Sequence, residues 1–595
     1  MTRRIALRPL ARILEARAIG ENPDRIEREN VALRHEQARD KMRQRAESRL
    51  LMVAMAFFAA FLTVGVKMTA LAGSEPEEPH IASTAAAALG TRADIVDRRG
   101  RVLATNLITN SLYVQPNDLI DPATAAAGLA EIFPDLELDW LMRRFTSGSS
   151  FAWLRGSISP EQQQRVHDLG EPGLLFGPRD MRLYPNGAVA AHILGGARFG
   201  EQAVNSAEIL GVAGIEAQFD AELRDPARNG EPLQLSLDLT VQAAVEEVLE
   251  GGMTLMNAIG AAAVLMDVNT GEVISLASLP DFDPNARPRP LLVGDQAESP
   301  LFNRALQGVY ELGSVFKIFT AAQALELELV EPDTMIDTTG PLRMAGFEIE
   351  DFSNYGPENS VTDVIVRSSN IGTVRLAEMI GTERQQEFLD SLGLFDPTGI
   401  EVVEQRAARP LYPSRWTNLS TATISYGHGI SVSPLHLAAA YASLLNGGTR
   451  VQPTILRRDT PQEGARVVSE EVSAIAASML RQVVTDGTAS LGEVEGYEVG
   501  GKTGSADKPD PEGGYYEGRL LSTFASVFPA NDPQYVLVVT LDEPNIVMLG
   551  EERRTAGWTA VPVAAEIIRR AAPLLGLRPE SVDPELAYQL SSASE

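Results

Sequence analysis

The apolar positions of the chain follow three patterns, each confined to its own stretch of sequence. Residues Leu50–Val66 (LLMVAMAFFAAFLTVGV) are apolar without interruption. Between about residues 93 and 223, short apolar runs alternate with turn sequences such as YPNG at Tyr184–Gly187. From residue 233 onwards, strand-like segments come first, helical spacing continues to about residue 446, and strand-like segments then return before a closing helix.

Individual segments within these patterns predict an α+β fold. ADIVDRRGRVLATNL predicts two strands that turn at Arg99-Gly100, and AAAVLMDVNTGEVISLASLP predicts a hairpin that turns at Asn269–Gly271. LQLSLDL, at Leu233–Leu239, alternates apolar and polar residues in the manner of an edge strand. YEVGGKTGSA, STFASVFP and YVLVVTLDEP predict further strands, and VPVAAEIIRRAAPLL predicts the closing helix. This order indicates one mainly antiparallel sheet with helices on its faces, preceded by a smaller α+β domain.

We expect two folded domains, together with terminal and connecting segments. The predicted boundaries are 1–49 for an amino-terminal tail, 50–71 for a transmembrane helix, 72–91 for a linker, 92–228 for the smaller domain, 229–576 for the larger domain and 577–595 for a flexible tail. The linker is rich in Pro, Ala and acidic residues, and the last segment is polar. Both compositions are typical of segments outside a packed core.

The uninterrupted apolar run predicts a single membrane anchor. A run of about 17–22 apolar residues can cross a bilayer as one helix, and Lys67 near its end can extend to the headgroups. Residues 1–49 carry about 13 basic and about 8 acidic side chains, which predicts a cytoplasmic amino terminus with everything after Ala72 outside. Two alternatives stay open: a buried core helix, and a signal peptide cleaved after Ala70-Leu71-Ala72.

Composition narrows the range of functions. The 595 residues carry a net charge of -29, which disfavours a nucleic-acid partner because phosphate binding needs a basic face. The chain has no cysteine, so neither a disulfide framework nor a thiolate metal site exists. Its six histidines are scattered without ligand spacing. We therefore expect no metal and no other cofactor.

The stretch YELGSVFKIFTAAQALE contains a serine and a lysine three positions apart, Ser314 and Lys317. In the first turn of a helix these residues lie on one face, so Lys317 would reach back beside the Ser314 hydroxyl. Apolar neighbours disfavour the charged form of this lysine; they are Val315, Phe316, Ile318 and Phe319. A neutral amine can accept the serine proton, so the pair indicates a serine nucleophile with a lysine base.

Two later motifs strengthen this interpretation, because Ser-x-x-Lys alone occurs by chance about once or twice in a chain of this length. SSNIG places Ser368 and Asn370 just after an apparent helix, and Ser368 lies 54 residues beyond Ser314. GGKTGSA places Lys502 another 134 residues on, in a predicted strand. The set Ser-x-x-Lys, Ser-x-Asn and Lys-Thr-Gly, in this order, is typical of penicillin-binding proteins and class A β-lactamases.

Each of these side chains has a role in acyl transfer. Ser368 can pass a proton between Lys317 and the leaving amine. Asn370 can fix Lys317 and hold a substrate amide. Lys502 supplies a positive field that keeps Lys317 neutral and attracts a carboxylate. We therefore predict Ser314 and these four residues to be catalytic.

The strand that carries Lys502 also offers groups for binding the substrate. The Thr503 hydroxyl, with Ser505 behind it, can hydrogen-bond a carboxylate. Gly504 has no side chain, so an extended peptide can lie along this strand. The N–H groups of Ser314 and Ser505 would form an oxyanion hole. Thr503, Gly504 and Ser505 are therefore the predicted substrate-binding residues.

With these motifs the sequence resembles class B penicillin-binding proteins, the membrane-anchored D,D-transpeptidases of bacterial peptidoglycan. The resemblance runs from Leu50 to about Leu575 and includes the landmarks DIVDRRGRVLA, RLYPNGAVAAHILG, GIEAQFDAEL and NRALQGVYELGS. SYGHGISVSPLHLAAAYASLLNGG is more similar to the cell-division type, FtsI, than to the elongation type. Leu312 stands where many relatives have Pro, and Ser505 where many have Thr. Both substitutions keep the required chemistry.

The resemblance implies an α+β pedestal domain of the penicillin-binding protein dimerisation type, followed by a serine β-lactamase-like transpeptidase domain. Ser314 would attack the penultimate D-alanine carbonyl of a peptidoglycan stem peptide and release D-alanine, and an amine from a neighbouring stem would resolve the acyl-enzyme. β-Lactams would acylate the same serine. The family works beside a glycan polymerase of the FtsW kind and other divisome membrane proteins. We expect a periplasmic catalytic domain, a single-pass inner-membrane anchor and a role at the division septum.

Three other functions stay open on the sequence alone. The first is an elongation-type class B transpeptidase. The second is another serine acyl-enzyme on this fold: a β-lactamase, a D,D-carboxypeptidase or an antibiotic sensor. A deacylating Glu would favour it, and no E-x-x-x-N loop stands at a persuasive position. The third is a non-catalytic divisome scaffold, which the intact motif residues argue against.

Overall fold

The chain divides into two compact units, residues 1–85 and 86–595. The computed structural model describes residues 8–22, 24–25, 28–29, 32, 39, 50–65, 67, 92–203, 206–510, 513–548 and 550–579. The first unit contains helix α1 (Arg8–Ala18) and the helical residues 50–65 and 67, whose apolar side chains are exposed. No helix within these described ranges combines the length and the apolar content that crossing a membrane requires. The rest of the predicted span 50–71 and the whole linker 72–91 lie outside the described residues.

The amino-terminal part of the second unit is built around one long strand. Its strands are β1 (Ile95–Val96), β2 (Val102–Val114), β3 (Ala152–Ile158), β4 (Leu174–Leu183), β5 (Gly196–Ala203) and β6 (Ser206–Ala213). Its helices are α2 (Pro122–Ile132), α3 (Leu138–Phe145), α4 (Pro160–His167), α5 (Ala191–Leu194), α6 (Gly214–Gln218) and α7 (Asp220–Leu223). Strand β2 pairs antiparallel with β1, β3 and β4, and β5 and β6 form a separate hairpin. The predicted turns at Arg99-Gly100 and Tyr184–Gly187 are confirmed.

The segment LQLSLDL departs from its prediction. Only β7 (Leu233–Gln234) is a strand, and it pairs in parallel with β1 at the edge of the amino-terminal sheet, not with the larger sheet. The strand stops early because Asp238 caps a helix: its carboxylate accepts hydrogen bonds from the N–H groups of Thr240 and Val241. A cap residue thus overrides the alternating pattern.

The carboxy-terminal part contains the larger sheet. Its principal strands are β8 (Gly260–Asp267), β9 (Val273–Leu279), β14 (Gly500–Pro509), β15 (Tyr515–Phe528) and β16 (Tyr535–Asp542). Short strands form three small hairpins or ladders: β10 (Met335–Asp337), β11 (Leu342–Met344), β12 (Phe347–Ile349), β13 (Glu358–Ser360), β17 (Ile546–Met548) and β18 (Glu551–Arg553). The large sheet has the order β14-β15-β16-β8-β9 and is antiparallel throughout, as predicted. Strand β14, which carries Lys502, lies at its edge.

This part also contains a set of helices, several of which pack on the large sheet. They are α8 (Leu239–Leu255), α9 (Lys317–Glu326), α10 (Val361–Val366), α11 (Asn370–Ile380), α12 (Thr382–Ser391), α13 (Asn418–Ser425), α14 (Pro434–Leu445), α15 (Glu470–Thr485) and α16 (Ala560–Leu574). Helix α14 packs on β8 and β16, while α8 and α16 pack together on the same sheet. Strand β8 is an almost continuous apolar run, buried from Gly260 to Met266, as is typical of a strand that is covered on both faces.

Among the described residues, two large hydrophobic cores hold the second unit together, beside a small cluster of Ile349, Val374 and Ala422. The larger core is continuous from the base of the amino-terminal part, including Ile95 and Leu103, through the large sheet to Ile568. The smaller core lies between β2, β3 and helices α2 and α3, and includes Leu112 and Phe133. The base of the amino-terminal part is therefore integrated with the larger domain, whereas its outer part has a core of its own.

A buried ion network fixes that base. The Glu216 carboxylate is fully buried and lies 2.6 Å from a guanidinium nitrogen of Arg92 and 2.6 Å from one of Arg182. The Tyr184 hydroxyl donates to the same carboxylate at 3.2 Å, and Arg92 also pairs with Asp220 at 2.7 Å. One buried carboxylate therefore pairs with two buried cations, of which only Arg92 has a second acidic partner, and the cost of removing the Glu216 charge is high.

We expect the substitution Glu216→Gln to lower the free energy of unfolding by about 3–5 kcal/mol, because it removes the carboxylate that pairs with buried Arg182 and leaves buried Arg92 with Asp220 alone. Asp135→Asn is the matched control, since Asp135 pairs with Arg155 at 2.6 Å on the surface of the same domain. Breaking that exposed pair should cost less than about 1 kcal/mol. Urea unfolding of the two variants measures the difference, and equal losses would contradict the role given to Glu216.

Candidate active site

The structure brings the three sequence motifs to one place beside the edge of the large sheet. Ser314 lies in a 3-10 turn, Gly313–Phe316, which runs directly into α9 at Lys317. Ser368 lies in the short loop between α10 and α11. Lys502 lies in the edge strand β14, which packs on the 3-10 turn. Helix start, loop and strand are the locations that the sequence predicts for these motifs.

Ser368 is the contact point between the two motif lysines. Lys317 Nζ donates to the Ser368 carbonyl at 2.5 Å and hydrogen-bonds with the Ser368 hydroxyl at 3.0 Å. Lys502 Nζ reaches the same hydroxyl at 2.9 Å. Both lysine side chains are fully buried. One hydroxyl oxygen thus links two amines that solvent does not reach.

This burial sets the charge of both lysines. Burial lowers the pKa of Lys317 well below its usual range, the neighbouring Lys502 lowers it further, and Asp351 opposes the shift. Burial also lowers the pKa of Lys502, to about 7. A proton on Lys502 repels a second proton from Lys317, so the two amines are not charged together. Burial and the neighbouring Lys502 thus both favour the uncharged amine of Lys317.

The backbone at Ser368 is strained, and its surroundings hold it in place. Ser368 has a φ of 65°, in the left-handed region that residues with a Cβ rarely adopt. The next residue, Ser369, caps α11 by accepting from the Gly372 N–H at 2.9 Å. The Asp351 carboxylate accepts from the Asn370 N–H at 2.5 Å, the Ile371 N–H at 3.0 Å and the Ser369 hydroxyl at 2.7 Å. Asp351 therefore anchors the loop on which Ser368 stands.

Two predicted contacts are absent or different. Lys317 makes its side-chain hydrogen bonds to Ser368, and within the described residues the Ser314 hydroxyl has no hydrogen-bond partner. Asn370, expected to fix Lys317, instead donates its side-chain amide to the Glu350 carbonyl at 2.7 Å. The loop that carries Glu350 approaches α11 closely enough to take this amide, which the motif spacing does not reveal.

Glycines allow the nucleophile segment and the edge strand to approach closely. A Cβ on Gly504 would lie 2.2 Å from the carbonyl oxygen of Leu312. A Cβ on Gly313, whose φ is 63°, would lie 3.1 Å from the carbonyl oxygen of Ser505. The backbone segments that contain Ser314 and Ser505 are therefore in direct contact, as two N–H donors serving one oxyanion require.

Two hydroxyl groups along β14 have partners outside the motifs. Thr503 Oγ1 lies 2.7 Å from Thr488 Oγ1, in the loop after α15. Ser505 Oγ accepts from the Ala556 N–H at 3.0 Å. If Thr488 donates to Thr503, the Thr503 proton is free for a ligand, and a chain of such bonds strengthens each member.

Sequence reasoning missed Asp351 and Thr488. Each is brought to the site by the path of a loop, and each belongs to a residue type that is common in loops, so no motif marks it. Glu311 is easier to recognise from the sequence, because it stands three residues before the nucleophile. Its carboxylate accepts from the Gly429 N–H at 2.9 Å and from the Tyr515 hydroxyl at 3.0 Å.

Across the described ranges, no group of three or more His, Asp or Glu side chains is arranged to hold a metal ion.

Comparison with known families agrees with this arrangement. A model of the penicillin-binding protein transpeptidase domain matches residues 261–569, and a model of the penicillin-binding protein dimerisation domain matches residues 87–229. The chain belongs to the penicillin-binding protein family. Its two folded parts correspond to the two domains of that family, the dimerisation or pedestal domain and the transpeptidase domain.

Individual relatives cover most of the chain. The probable peptidoglycan D,D-transpeptidase FtsI of Caulobacter vibrioides is 36% identical over 501 residues, which are 82% of this chain and 82% of that protein. The peptidoglycan D,D-transpeptidase FtsI of Escherichia coli K12 is 28% identical over 83% of this chain and 85% of that protein. The crystal structure of penicillin-binding protein 3 of Mycobacterium tuberculosis with aztreonam superposes with a TM-score of 0.63 at 25% identity, over 83% of this chain and 98% of that one.

In this penicillin-binding protein, the close approach at Gly504 can be tested directly. We expect Gly504→Ala to lower the free energy of unfolding by about 1–3 kcal/mol and to slow acylation by penicillin, because the added methyl group pushes β14 away from Leu312. Chemical unfolding and the acylation rate measure the two effects.

Gly251→Ala is the control for this substitution, since a Cβ there meets no atom within 4 Å and the residue lies inside α8. That variant should gain up to about 1 kcal/mol of stability, because alanine favours the helix. A Gly504→Ala variant as stable and as reactive as the parent would contradict the close packing of the two segments.

Proposed function

We propose that the chain is a septal peptidoglycan D,D-transpeptidase, in which Ser314 forms an acyl-enzyme and Lys317 is its general base. The observation that carries this proposal is the Ser368 hydroxyl, held 3.0 Å from Lys317 Nζ and 2.9 Å from Lys502 Nζ next to the Ser314 turn. The names of the two FtsI relatives and the match to the transpeptidase model support the reaction class.

The first half-reaction follows from the charges of the site. The neutral Lys317 amine accepts the Ser314 proton as Oγ attacks the penultimate D-alanine carbonyl of a stem peptide. The N–H groups of Ser314 and Ser505 stabilise the oxyanion. The Ser368 hydroxyl can donate to the departing D-alanine amine while it takes the proton from Lys317, so the tetrahedral intermediate collapses to the acyl-enzyme. A β-lactam would follow the same path and remain bound.

The substrate carboxylate is proposed to bind at β14. Lys502 in its protonated form attracts it, and the hydroxyls of Thr503 and Ser505 hydrogen-bond to it. Gly504 lets the peptide lie along the edge strand, where unpaired backbone groups are available. Asn370 is proposed to orient the substrate amide from the opposite side of the cleft.

We also propose an uncleaved membrane anchor at residues 50–71, with the amino terminus in the cytoplasm and the catalytic part in the periplasm. The apolar sequence and the exposed side chains of Leu50 and Phe61 support it. Glycan polymerases of the FtsW kind and other divisome proteins are the proposed partners, contacted through the anchor and the pedestal domain. The proposed domain boundaries are 92–228 and 229–576, and the dimerisation match at 87–229 and the transpeptidase match at 261–569 support them.

Ser314→Ala tests the nucleophile and the cellular role together. We expect the purified full chain to lose covalent labelling by a fluorescent penicillin, since the acyl-enzyme cannot form. Cells that rely on this variant should grow as filaments without septa, because a septal crosslinking enzyme is missing. Gel fluorescence and microscopy measure the two results.

The control is Ser391→Ala, because the Ser391 hydroxyl bonds only to the Phe388 carbonyl within α12. It should keep both labelling and division. Full labelling of the Ser314→Ala variant would refute the serine mechanism. If the cells lose their rod shape but still form septa, the result would show that the enzyme acts in wall elongation and not at the septum.

The pKa of Lys502 predicts a pH dependence. We expect kcat/KM for acylation to fall as the pH rises through about 7, because Lys502 then loses the charge that attracts the carboxylate and repels protons from Lys317. Lys502→Arg should move this alkaline limb to higher pH, since a guanidinium stays protonated.

Lys508→Arg is the control: Lys508 pairs with Asp542 and Glu543, each at 2.8 Å, and these carboxylates help raise its pKa. It should leave the pH profile unchanged. If the alkaline limb of the Lys502→Arg variant lies at the same pH as that of the parent, a group other than Lys502 causes it.

A further inference from the structure

The loop around His428 is fastened to the segment that carries the nucleophile. The Gly313 N–H donates to the Gly427 carbonyl at 3.2 Å, and the Gly429 N–H donates to the Glu311 carboxylate at 2.9 Å. A Cβ on Gly427 would lie 2.0 Å from the Gly313 carbonyl oxygen, so the two backbones are in contact. His428 stands between these two attachments, one residue from each.

The imidazole of His428 has aromatic neighbours and an open hydrogen-bonding capacity. Its ring centre lies 5.2 Å from that of Tyr426 and 6.1 Å from that of Tyr515. Its Nδ1 atom is buried without a hydrogen-bond partner among the described residues, while the side chain as a whole is partly exposed. Packing therefore fixes the position of the ring, and an interaction with the Tyr426 backbone favours its protonated form.

The charged groups that face this ring come from three elements. Burial is the main cause that lowers the pKa of His428, and a proton on Lys317 would lower it further, whereas Glu311, a backbone hydrogen bond to Tyr426 and Asp507 oppose the shift. Asp507 alternates with Thr503 and Ser505 along β14, so it lies on the same face of the strand. Burial thus favours a neutral His428, and Lys317 and Asp507 are near enough for their charges to act on the ring.

The other titratable groups around His428 are less suited to accept a proton. Both carboxylate oxygens of Glu311 accept hydrogen bonds, from Gly429 and from the Tyr515 hydroxyl. Burial and Glu311 raise the pKa of Tyr426 to about 12, and burial and Glu311 also raise that of Tyr515, so both phenols stay protonated. Asp507 is exposed on the strand and adds negative charge nearby.

The second half-reaction of the proposed function has an unassigned proton. An acceptor amine reaches the enzyme mainly as an ammonium ion, R–NH3+, and attacks only as R–NH2. After attack, one further proton leaves the nitrogen as the Ser314 oxygen departs, and the Lys317–Ser368 pair can return it to that oxygen by reversal of the acylation step. The first proton, from the ammonium, has no acceptor in that scheme.

We propose that His428 is the general base that takes this first proton from the acceptor ammonium at the cleft. The step is R–NH3+ plus neutral imidazole giving R–NH2 plus imidazolium, and the imidazolium afterwards returns its proton to water. Glu311 and Asp507 attract the ammonium and stabilise the imidazolium. The proposal rests on the transpeptidase function and adds a catalytic residue that only the acceptor half-reaction uses.

The test is the partition of the acyl-enzyme in a His428→Gln variant of the full chain, because glutamine keeps hydrogen-bonding capacity but does not titrate. A stem-peptide thioester acylates Ser314, and D-alanine or water then resolves the acyl-enzyme. We expect the ratio of aminolysis to hydrolysis with D-alanine at pH 7 to fall by at least about 10-fold, within the range of general-base effects. Hydroxylamine, which is already largely neutral at pH 7, should give the parent ratio.

The controls separate this proposal from the function on which it rests. Acylation by labelled penicillin should stay within about 2-fold of the parent, which also reports a folded site. His167→Gln, in the pedestal domain where His167 stacks on Phe176, should change nothing. An unchanged ratio with D-alanine, or an equal loss with D-alanine and hydroxylamine, overturns the role of His428. Loss of acylation in the parent overturns the transpeptidase itself.

Discussion

The site depends on two buried amines that share one hydroxyl group. Lys317 and Lys502 both contact the Ser368 oxygen and are both fully buried. Two ammonium ions so close together and so poorly solvated would be strongly unfavourable, so at most one is charged. The fold therefore maintains a free amine beside a serine at neutral pH. The apolar residues around Lys317 at the start of α9 are therefore part of the chemistry, because they exclude the solvent that would stabilise its charge.

Much of the surrounding structure serves to hold that arrangement. Ser368 keeps a left-handed backbone conformation because Asp351 and the cap of α11 fix the residues after it. Gly504 and Gly313 permit β14 to lie against the nucleophile turn without side-chain interference. The buried Glu216 network stabilises the base of the pedestal domain, which shares its core with the catalytic domain. Rigid packing thus supplies the geometry, and burial supplies the reactivity.

The sequence was most informative where chemistry restricts the residue types. Ser314, Lys317, Ser368 and Lys502 could be named and brought together because acyl transfer needs those groups and a known motif set carries them in that order. The antiparallel sheet followed from the apolar pattern. Sequence reasoning was least informative about contacts made through loops. Asn370 bonds to Glu350 instead of Lys317, and nothing in the local sequence marks Asp351 as the anchor of its loop. LQLSLDL forms an edge strand over only its first two residues, because Asp238 caps a helix within the segment.

Nitrogen NMR of the lysine side chains tests the central claim most directly. The chain has only five lysines, Lys41, Lys67, Lys317, Lys502 and Lys508, so selective labelling gives a simple spectrum that single Lys→Arg variants assign. The account predicts a Lys317 signal at the position of a neutral amine at pH 7, and a Lys502 signal that titrates near pH 7. A Lys317 signal that remains an ammonium resonance up to the usual lysine pKa of about 10.4 would contradict it.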